Sequence, residues 1–310
     1  RQRAVGTLTD GDVRRALLRG EDVDTPVDAV MRRNFRRLSP GDDAFSSLSA
    51  LREEGIMLVP VLDAEGRITR ILDLRELKAA LPLDAVLMAG GKGERLRPLT
   101  LETPKPLLKV GGKAIIDYNV DELRANGVEH LFVTVNYLKE KLIEHFDERG
   151  DGVRCVAEPC RMGTFGSLSL VAPEVTHDNV LVMNSDLLTT ISFENMYRRH
   201  LSTEAALTMA VVPYNVSIPF AILDTEGDRV RALREKPVFN YFANAGVYIL
   251  RSELLARIKE GEYLDAPDFI EALIADGLKV SYYPVDGIWI DIGSPEDFRR
   301  ATDLMASHSS

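Results

Sequence analysis

The sequence predicts an α/β protein: a mostly parallel sheet with helices on both faces, preceded by a small α/β module. Three observations lead there. From Asp84 onward, apolar strand-like runs alternate with helical stretches, as in LFVTVN followed by KEKLIEHF and VLVMNSD followed by FENMYRRH, the pattern of βα units. At 310 residues the chain suits two domains better than one. The net charge of -10 is also uneven, since residues 1–83 hold 14 basic and 14 acidic residues, leaving 24 and 34 for the remainder. The expected division is a module at residues 1–80 and a larger domain at residues 84–310.

Composition is ordinary for a globular chain, with 45% hydrophobic and 28% charged residues. No apolar run approaches the roughly 18 residues that span a bilayer. The acidic balance argues against a nucleic-acid partner, which calls for a basic face, and a cytoplasmic location is expected. Cys155 and Cys160 are the only cysteines. Without neighbouring histidines they match neither a zinc site nor a disulfide framework, and both are expected to be buried apolar residues. The chain opens at Arg1 with no initiator Met and no signal peptide, so further residues are expected upstream. Arg32, Arg33, Arg36 and Arg37 form one basic cluster, readable as a solvated loop or as a phosphate contact.

Within the module, residues 6–19 (GTLTDGDVRRALLR) read as a short strand, a polar turn and an amphipathic helix with Val13, Ala16 and Leu17 on one face. About sixty residues later, GRITRILDLRELKAA repeats the strand-to-helix pattern after a buried strand in MLVPVLDAEG. These residues resemble a tandem CBS-domain pair, a regulatory module that commonly binds adenine nucleotides. The family's G-x-x-T-x-x-D signature falls on Gly6, Thr9 and Asp12, which implies a Thr near the phosphates and an Asp on the ribose hydroxyls. The second copy carries Arg70, Asp73 and Glu76 at those positions, so a second intact site is not implied. A purely packing or oligomerising module is the alternative, and a homo-oligomer is expected.

The larger domain opens on an apolar strand that runs into MAGGKGERLRPLTLETPKP at residues 88–106. A strand ending in Ala89, Gly90, Gly91 and Gly93 lets backbone N–H groups approach phosphate oxygens without side-chain obstruction. Lys92, Arg95 and Lys105 add the positive charge a polyphosphate needs before an anionic nucleophile can approach. A tight strand-to-helix turn would use similar glycines. The segment lacks the Gly-Lys-Ser/Thr ending of a Walker loop. It also places basic residues and prolines where a dinucleotide fingerprint would begin a long helix. The whole string resembles the G-G-x-G-x-R-L-x-P-L-T…P-K-P signature of the sugar-nucleotidyltransferase family. The likeness extends through residues 84–310 and implies that family's Rossmann-like sheet.

Further motifs follow in the family's order. EPCRMGTFGSL at 158–168 resembles the nucleobase segment, implying base contacts from Gly163 and Thr164, with Phe165 where relatives have a small residue. VLVMNSDLL brings Asp186 to a strand end, a hard oxygen ligand suited to Mg2+, with Ser185 where most relatives have Gly. REKPVFNYFANAGVYIL aligns Glu235 and Lys236 with an E-K-P motif and Asn244 and Gly246 with N-x-G, implying contacts to sugar hydroxyls and the sugar phosphate. WIDIGSPEDF aligns Asp291 with the second magnesium ligand. Gly293 is expected to make a tight turn and Ser294 to cap the closing helix. Both carboxylates are expected on strands that end at one edge of the sheet.

The implied reaction joins a nucleoside triphosphate to a sugar 1-phosphate and releases pyrophosphate, with Mg2+ as cofactor. The nucleophile is already an anion at neutral pH, so neither a protein nucleophile nor a general base is demanded, and the five histidines sit in no motif. The G-T-x-G segment leans toward GTP, with mannose or glucosamine 1-phosphate as acceptor, while UTP, CTP and dTTP stay open. A non-catalytic nucleotide-sensing regulator is the rival from another class. The complete set of charged motif residues opposes it.

Overall fold

Two units make up the computed structural model, which describes residues 3–308: residues 1–80 with 125–127, and residues 81–124 with 128–310. The smaller unit is built on helices α1 (Asp10–Leu18), α2 (Val27–Val30) and α3 (Ala44–Glu53) and the antiparallel strands β1 (Leu58–Leu62) and β2 (Ile68–Asp73). Leu48, Leu51, Val59, Leu72 and Leu74 form its core. Two expectations fail here. Residues 6–8 form no strand, only an isolated bridge from Thr7 to Arg32, and residues 74–80 form no helix. Asp73 accounts for the second failure. Its carbonyl accepts the N–H groups of Glu76 and Leu77 at 3.2 and 3.0 Å, and its side chain accepts Arg75 N–H at 3.0 Å. That closes a single turn, and the chain runs on toward Pro82, which disfavours helix just before it. On the predicted apolar face of α1, Ala16 is buried while Val13 and Leu17 are exposed.

The larger unit begins with β3 (Asp84–Ala89) and a small ladder of β4 (Lys109–Val110) with β5 (Lys113–Ala114). Next come α4 (Ile115–Ala125), β6 (Leu131–Val135), α5 (Lys139–Arg149), β7 (Arg154–Ala157), α6 (Gly163–Gly166), α7 (Leu168–Val171) and β8 (Asn179–Asn184). The chain continues through β9 (Leu187–Thr189), α8 (Phe193–Ser202), β10 (Leu207–Ser217), β11 (Ile222–Glu226), β12 (Arg229–Arg234) and β13 (Val238–Arg251). It closes with α9 (Ala266–Ala275), β14 (Val280–Pro284), β15 (Trp289–Asp291) and α10 (Pro295–His308).

Seven of these strands form one sheet in the order β14-β10-β13-β8-β3-β6-β7. β13 runs against the other six. β3 reads as an unbroken apolar run because both its faces are covered: Ala85, Val86 and Leu87 are all buried although successive side chains point to opposite sides. On the Val86 side, Phe132, Val180, Val182 and Leu250 pack against Phe165, Leu168, Phe269 and Leu273. From β3 the chain steps outward to β6 and β7, then crosses to β8 on the other flank of β3. The carboxyl ends of β3 and β8 thus flank a topological switch point, where open α/β sheets bind ligands. No helix among the described residues is long and apolar enough to cross a membrane.

Candidate active site

At that switch point lies a cleft of about 240 Å³ lined by Ala89, Gly90, Gly91, Lys105, Gly163, Thr164 and Asp186. Between β3 and β4 the backbone makes two short 3-10 turns, Glu94–Leu96 and Lys105–Leu107, and no long helix. A Cβ on Gly91 would meet nothing within 4 Å, so packing does not explain its bareness; one on Gly90 would fall 2.6 Å from Glu158 Oε1. Gly93 packs beside the loop, where a Cβ would press on Thr100 and Lys105 at 2.9 and 3.1 Å.

The charged centre is Lys105, buried at 9% exposure. Its Nζ contacts Asp186 Oδ2 and lies 3.7 Å from Asp291 Oδ1. Contrary to expectation, the two acids do not both end strands of the main sheet. Asp186 follows β8, whereas Asp291 ends β15, which pairs only with β9. Because β9 continues directly from Asp186, its ladder sets Leu187 opposite Asp291, and Ile292 N–H donates to the Asp186 carbonyl at 3.1 Å. One oxygen of each acid, Asp186 Oδ1 and Asp291 Oδ1, is buried without a hydrogen-bond partner, which is costly for a group that carries charge. Burial first, and then the charge of Asp186, pushes the Asp291 carboxyl above the usual range. Buried carboxylate oxygens from two acids that accept no hydrogen bond fit a hard divalent cation.

Arg95 is exposed beside this centre. A Cβ on Gly293 would fall 2.9 Å from its guanidinium. Gly293 therefore makes room for Arg95; its backbone is not in the left-handed region, so the expected tight turn is not what requires glycine. Ser294 does cap the last helix, its Oγ accepting Asp297 N–H at 3.2 Å.

Gly163 and Thr164 are latched to the start of α9. Thr164 N–H donates to Asp265 Oδ1 at 3.0 Å, and Ala266 N–H donates to Thr164 Oγ1 at 2.7 Å. Phe165 turns away from the cleft into the core, 5.1 Å from the ring of Tyr248 and 5.5 Å from that of Phe269. The Ser185 hydroxyl donates to the Met88 carbonyl at 2.7 Å and ties the end of β8 to β3. Asn244 donates to Tyr248 Oη at 2.7 Å and accepts Gly246 N–H at 3.0 Å. Gly246 has φ +71°, and a Cβ there would fall 2.4 Å from Asn184 Nδ2, so it must be glycine on both counts. Glu235 and Lys236 are exposed, lie 4.0 Å from one another and do not line the cleft. Lys236 also holds a left-handed backbone, φ +41°, immediately before Pro237, a strained arrangement for a residue with a side chain.

Sequence reasoning missed Glu158, Asn184 and Asp265, all of which line the cleft. Glu158 is 7% exposed, and burial pushes its carboxyl up. Glu158 and Asn184 sit inside segments already singled out; Asp265 lies in no motif, and only its latch to Thr164 reveals it. Cys160 is exposed and Cys155 half-buried, against the expected burial of both, because Cys160 falls in the loop after β7.

In the smaller unit the signature residues serve their own chain. The Thr9 hydroxyl donates to Asp12 Oδ2 at 2.6 Å, and Arg32 Nε donates to Asp12 Oδ1 at 2.7 Å, with Arg15 pairing to the same oxygen. A Cβ on Gly6 would meet Met31 Sδ at 2.7 Å. Within the basic cluster, Arg36 pairs with Glu54 at 2.7 Å.

The family model described as Nucleotidyl transferase matches residues 84–308. A mannose-1-phosphate guanylyltransferase of Mycobacterium tuberculosis is 34% identical over 236 residues, covering 72% of this chain and 65% of that protein. A D-glycero-alpha-D-manno-heptose 1-phosphate guanylyltransferase of Aneurinibacillus thermoaerophilus is 29% identical over 225 residues, covering 71% of this chain and 96% of that one. The chain spans 62% of a Sulfolobus acidocaldarius relative, so it accounts for under two thirds of several of the curated proteins it matches. Among solved structures, HddC from Yersinia pseudotuberculosis complexed with GMP-PN superposes with a TM-score of 0.58 at 21% identity, over 72% of this chain and 99% of that one, a likeness of fold. The chain belongs to the nucleotidyl transferase family.

Proposed function

We propose that this chain transfers the nucleotidyl group of a nucleoside triphosphate, GTP by preference, to a sugar 1-phosphate of the mannose or glucosamine type, giving a nucleotide-sugar and pyrophosphate. The observation that carries this reading is the pair of buried oxygens that accept no hydrogen bond, Asp186 Oδ1 and Asp291 Oδ1, beside Lys105 at a glycine-lined cleft. The preference for GTP rests on relatives named guanylyltransferases and on a neighbour of like fold that holds GMP-PN.

In this reading the protein works by alignment and charge. Backbone N–H groups of Ala89, Gly90, Gly91 and Gly93 receive phosphate oxygens, while Lys105 and Arg95 offset the charge that builds on departing pyrophosphate. Gly163 and Thr164 take the base. Glu235, Asn244 and Gly246 take the sugar, and Lys236 its phosphate. Asp186 and Asp291 would hold Mg2+, which when bound supplies charge neutralisation at the phosphates. The attacking sugar phosphate is already ionised, and no histidine lines the cleft among the described residues, so no side chain need take its proton. A cytoplasmic location is part of this proposal.

Pyrophosphate release measured across GTP, UTP, CTP and dTTP with mannose and glucosamine 1-phosphates tests the proposal. GTP should give the strongest signal; a UTP-only signal would refute the base, and no release with any pair would refute the transfer.

For residues 1–80 the proposal is a CBS-type regulatory module that takes an adenine nucleotide at Gly6, Thr9 and Asp12. Its support is the sequence signature, and a ribose would have to displace Arg15 and Arg32 from Asp12. Titration with AMP and ATP tests it, an unchanged rate without binding removing the claim. Exposed Val13, Leu17, Ile68 and Ile71 on this unit support a homo-oligomer, which sedimentation equilibrium would read.

A further inference from the structure

Asp84, the first residue of β3, is fully buried, and three segments meet at its carboxylate, at the sheet edge opposite the glycine loop. His130 immediately precedes β6 and His177 lies two residues before β8, the two strands that flank β3. Parallel pairing therefore brings both histidines to the start of β3. Their Nδ1 atoms lie 3.0 and 2.8 Å from the same oxygen, Asp84 Oδ1. Thr176 Oγ1 stands 3.0 Å from His130 Nδ1 and 3.5 Å from Asp84 Oδ1. The other carboxylate oxygen, Oδ2, accepts the backbone N–H groups of Thr176 at 2.6 Å and His177 at 3.1 Å. Those two amides fix the carboxylate plane and keep Oδ1 turned toward the imidazoles, the outer-shell support expected around a metal ligand.

We propose that Asp84, His130 and His177 form a site for a borderline divalent cation of the Zn2+ class, with the Thr176 hydroxyl or a water completing the shell. Two imidazole nitrogens and a carboxylate oxygen are a donor set that zinc takes at about 2.0–2.2 Å, which in a tetrahedron sets neighbouring donors about 3.3 Å apart. The observed 2.8 and 3.0 Å need open by only a few tenths of an ångström, and the His130 side chain is 49% exposed. Each ring directs Nδ1 at the carboxylate; coordination through Nδ1 requires its proton to reside on Nε2.

This site is separate from the proposed magnesium site in both place and chemistry. β3 is six residues long, about 20 Å at the rise of a strand, and lies between the two. The donors near Lys105 are all oxygen and suit a hard ion, whereas nitrogen donors suit zinc. An ion at Asp84 would staple the entries of three neighbouring strands and stabilise the folded chain by mass action.

Zn2+ titration by calorimetry tests the site in an Asp186→Asn, Asp291→Asn background, where the other carboxylate pair cannot contribute. The expected result is one saturable equivalent and a Tm rise on the order of 5 °C, both lost in His130→Ala and in His177→Ala. Both histidines are partly exposed, and far-UV circular dichroism of each variant confirms folding. Zn2+ binding that persists in either histidine variant, or no saturable binding in the parent, would overturn the proposal.

Discussion

Asp12 and Asp291 both fall in motifs that imply a nucleotide-linked ligand, and the two units treat them in opposite ways. Asp12 is engaged on every side: a bond from the Thr9 hydroxyl, then Arg32 and Arg15, outweigh burial and hold its carboxyl well below the usual range. Asp291 is pushed above that range by burial and by Asp186, and one of its oxygens, buried, accepts no hydrogen bond. A carboxylate engaged by its own chain stabilises local structure; one left with a buried oxygen that accepts no hydrogen bond, beside a lysine and a second acid, is arranged for something that arrives later.

Asp186→Ala and Asp291→Ala should each lower the rate of pyrophosphate release by about 10³-fold or more, while Asp12→Ala leaves it unchanged. A second test uses a buried polar group that is fully paired. His200, 2% exposed, meets Thr208 Oγ1 at 2.9 Å and Asn179 Oδ1 at 3.0 Å, and burial lowers its pKa to about 4. The unfolded chain then binds the proton first as pH falls from the imidazole range. Stability should therefore decline between about pH 6.5 and 4, by roughly 3 kcal/mol, and His200→Gln should flatten the decline in urea titrations across pH.

Smaller effects sharpen the contrast. Asp12→Ala removes one half of the α1 capping box and should cost about 1 kcal/mol in the smaller unit, seen as a lower urea midpoint. That group's stabilisation is present above the carboxylate's ordinary pKa of 3.8 and lost below it. Asp291 carries the opposite sign. Without metal, the folded state holds its proton more tightly than the unfolded one, so stability falls as pH rises through the raised value. Asp291→Asn should then raise the metal-free Tm at neutral pH by a degree or two, by calorimetry.

Much of the larger unit was legible because its signals are local. A strand run into Gly90 and Gly91, with Lys105 and Asp186 at the ends of their own segments, needs only chain direction to place them near one another. What escaped depends on distant pairing. The β9–β15 ladder that carries Asp291 to Asp186 is three residues long on each side, too short to announce itself. Asp265 reaches the cleft only through Thr164, about a hundred residues earlier. Residues 74–80 looked helical by composition, yet Asp73 closes one turn and stops. Glu235 and Lys236 match a motif clearly, but they sit exposed on a strained backbone outside the cleft.

Binding of Mn2+, as a paramagnetic stand-in for Mg2+, in the presence of GTP tests whether Asp186 and Asp291 hold the ion. Electron paramagnetic resonance should report a nucleotide-dependent bound ion in the parent chain, lost in both Asp186→Asn and Asp291→Asn. Equal Mn2+ affinity in the parent and both variants would contradict it.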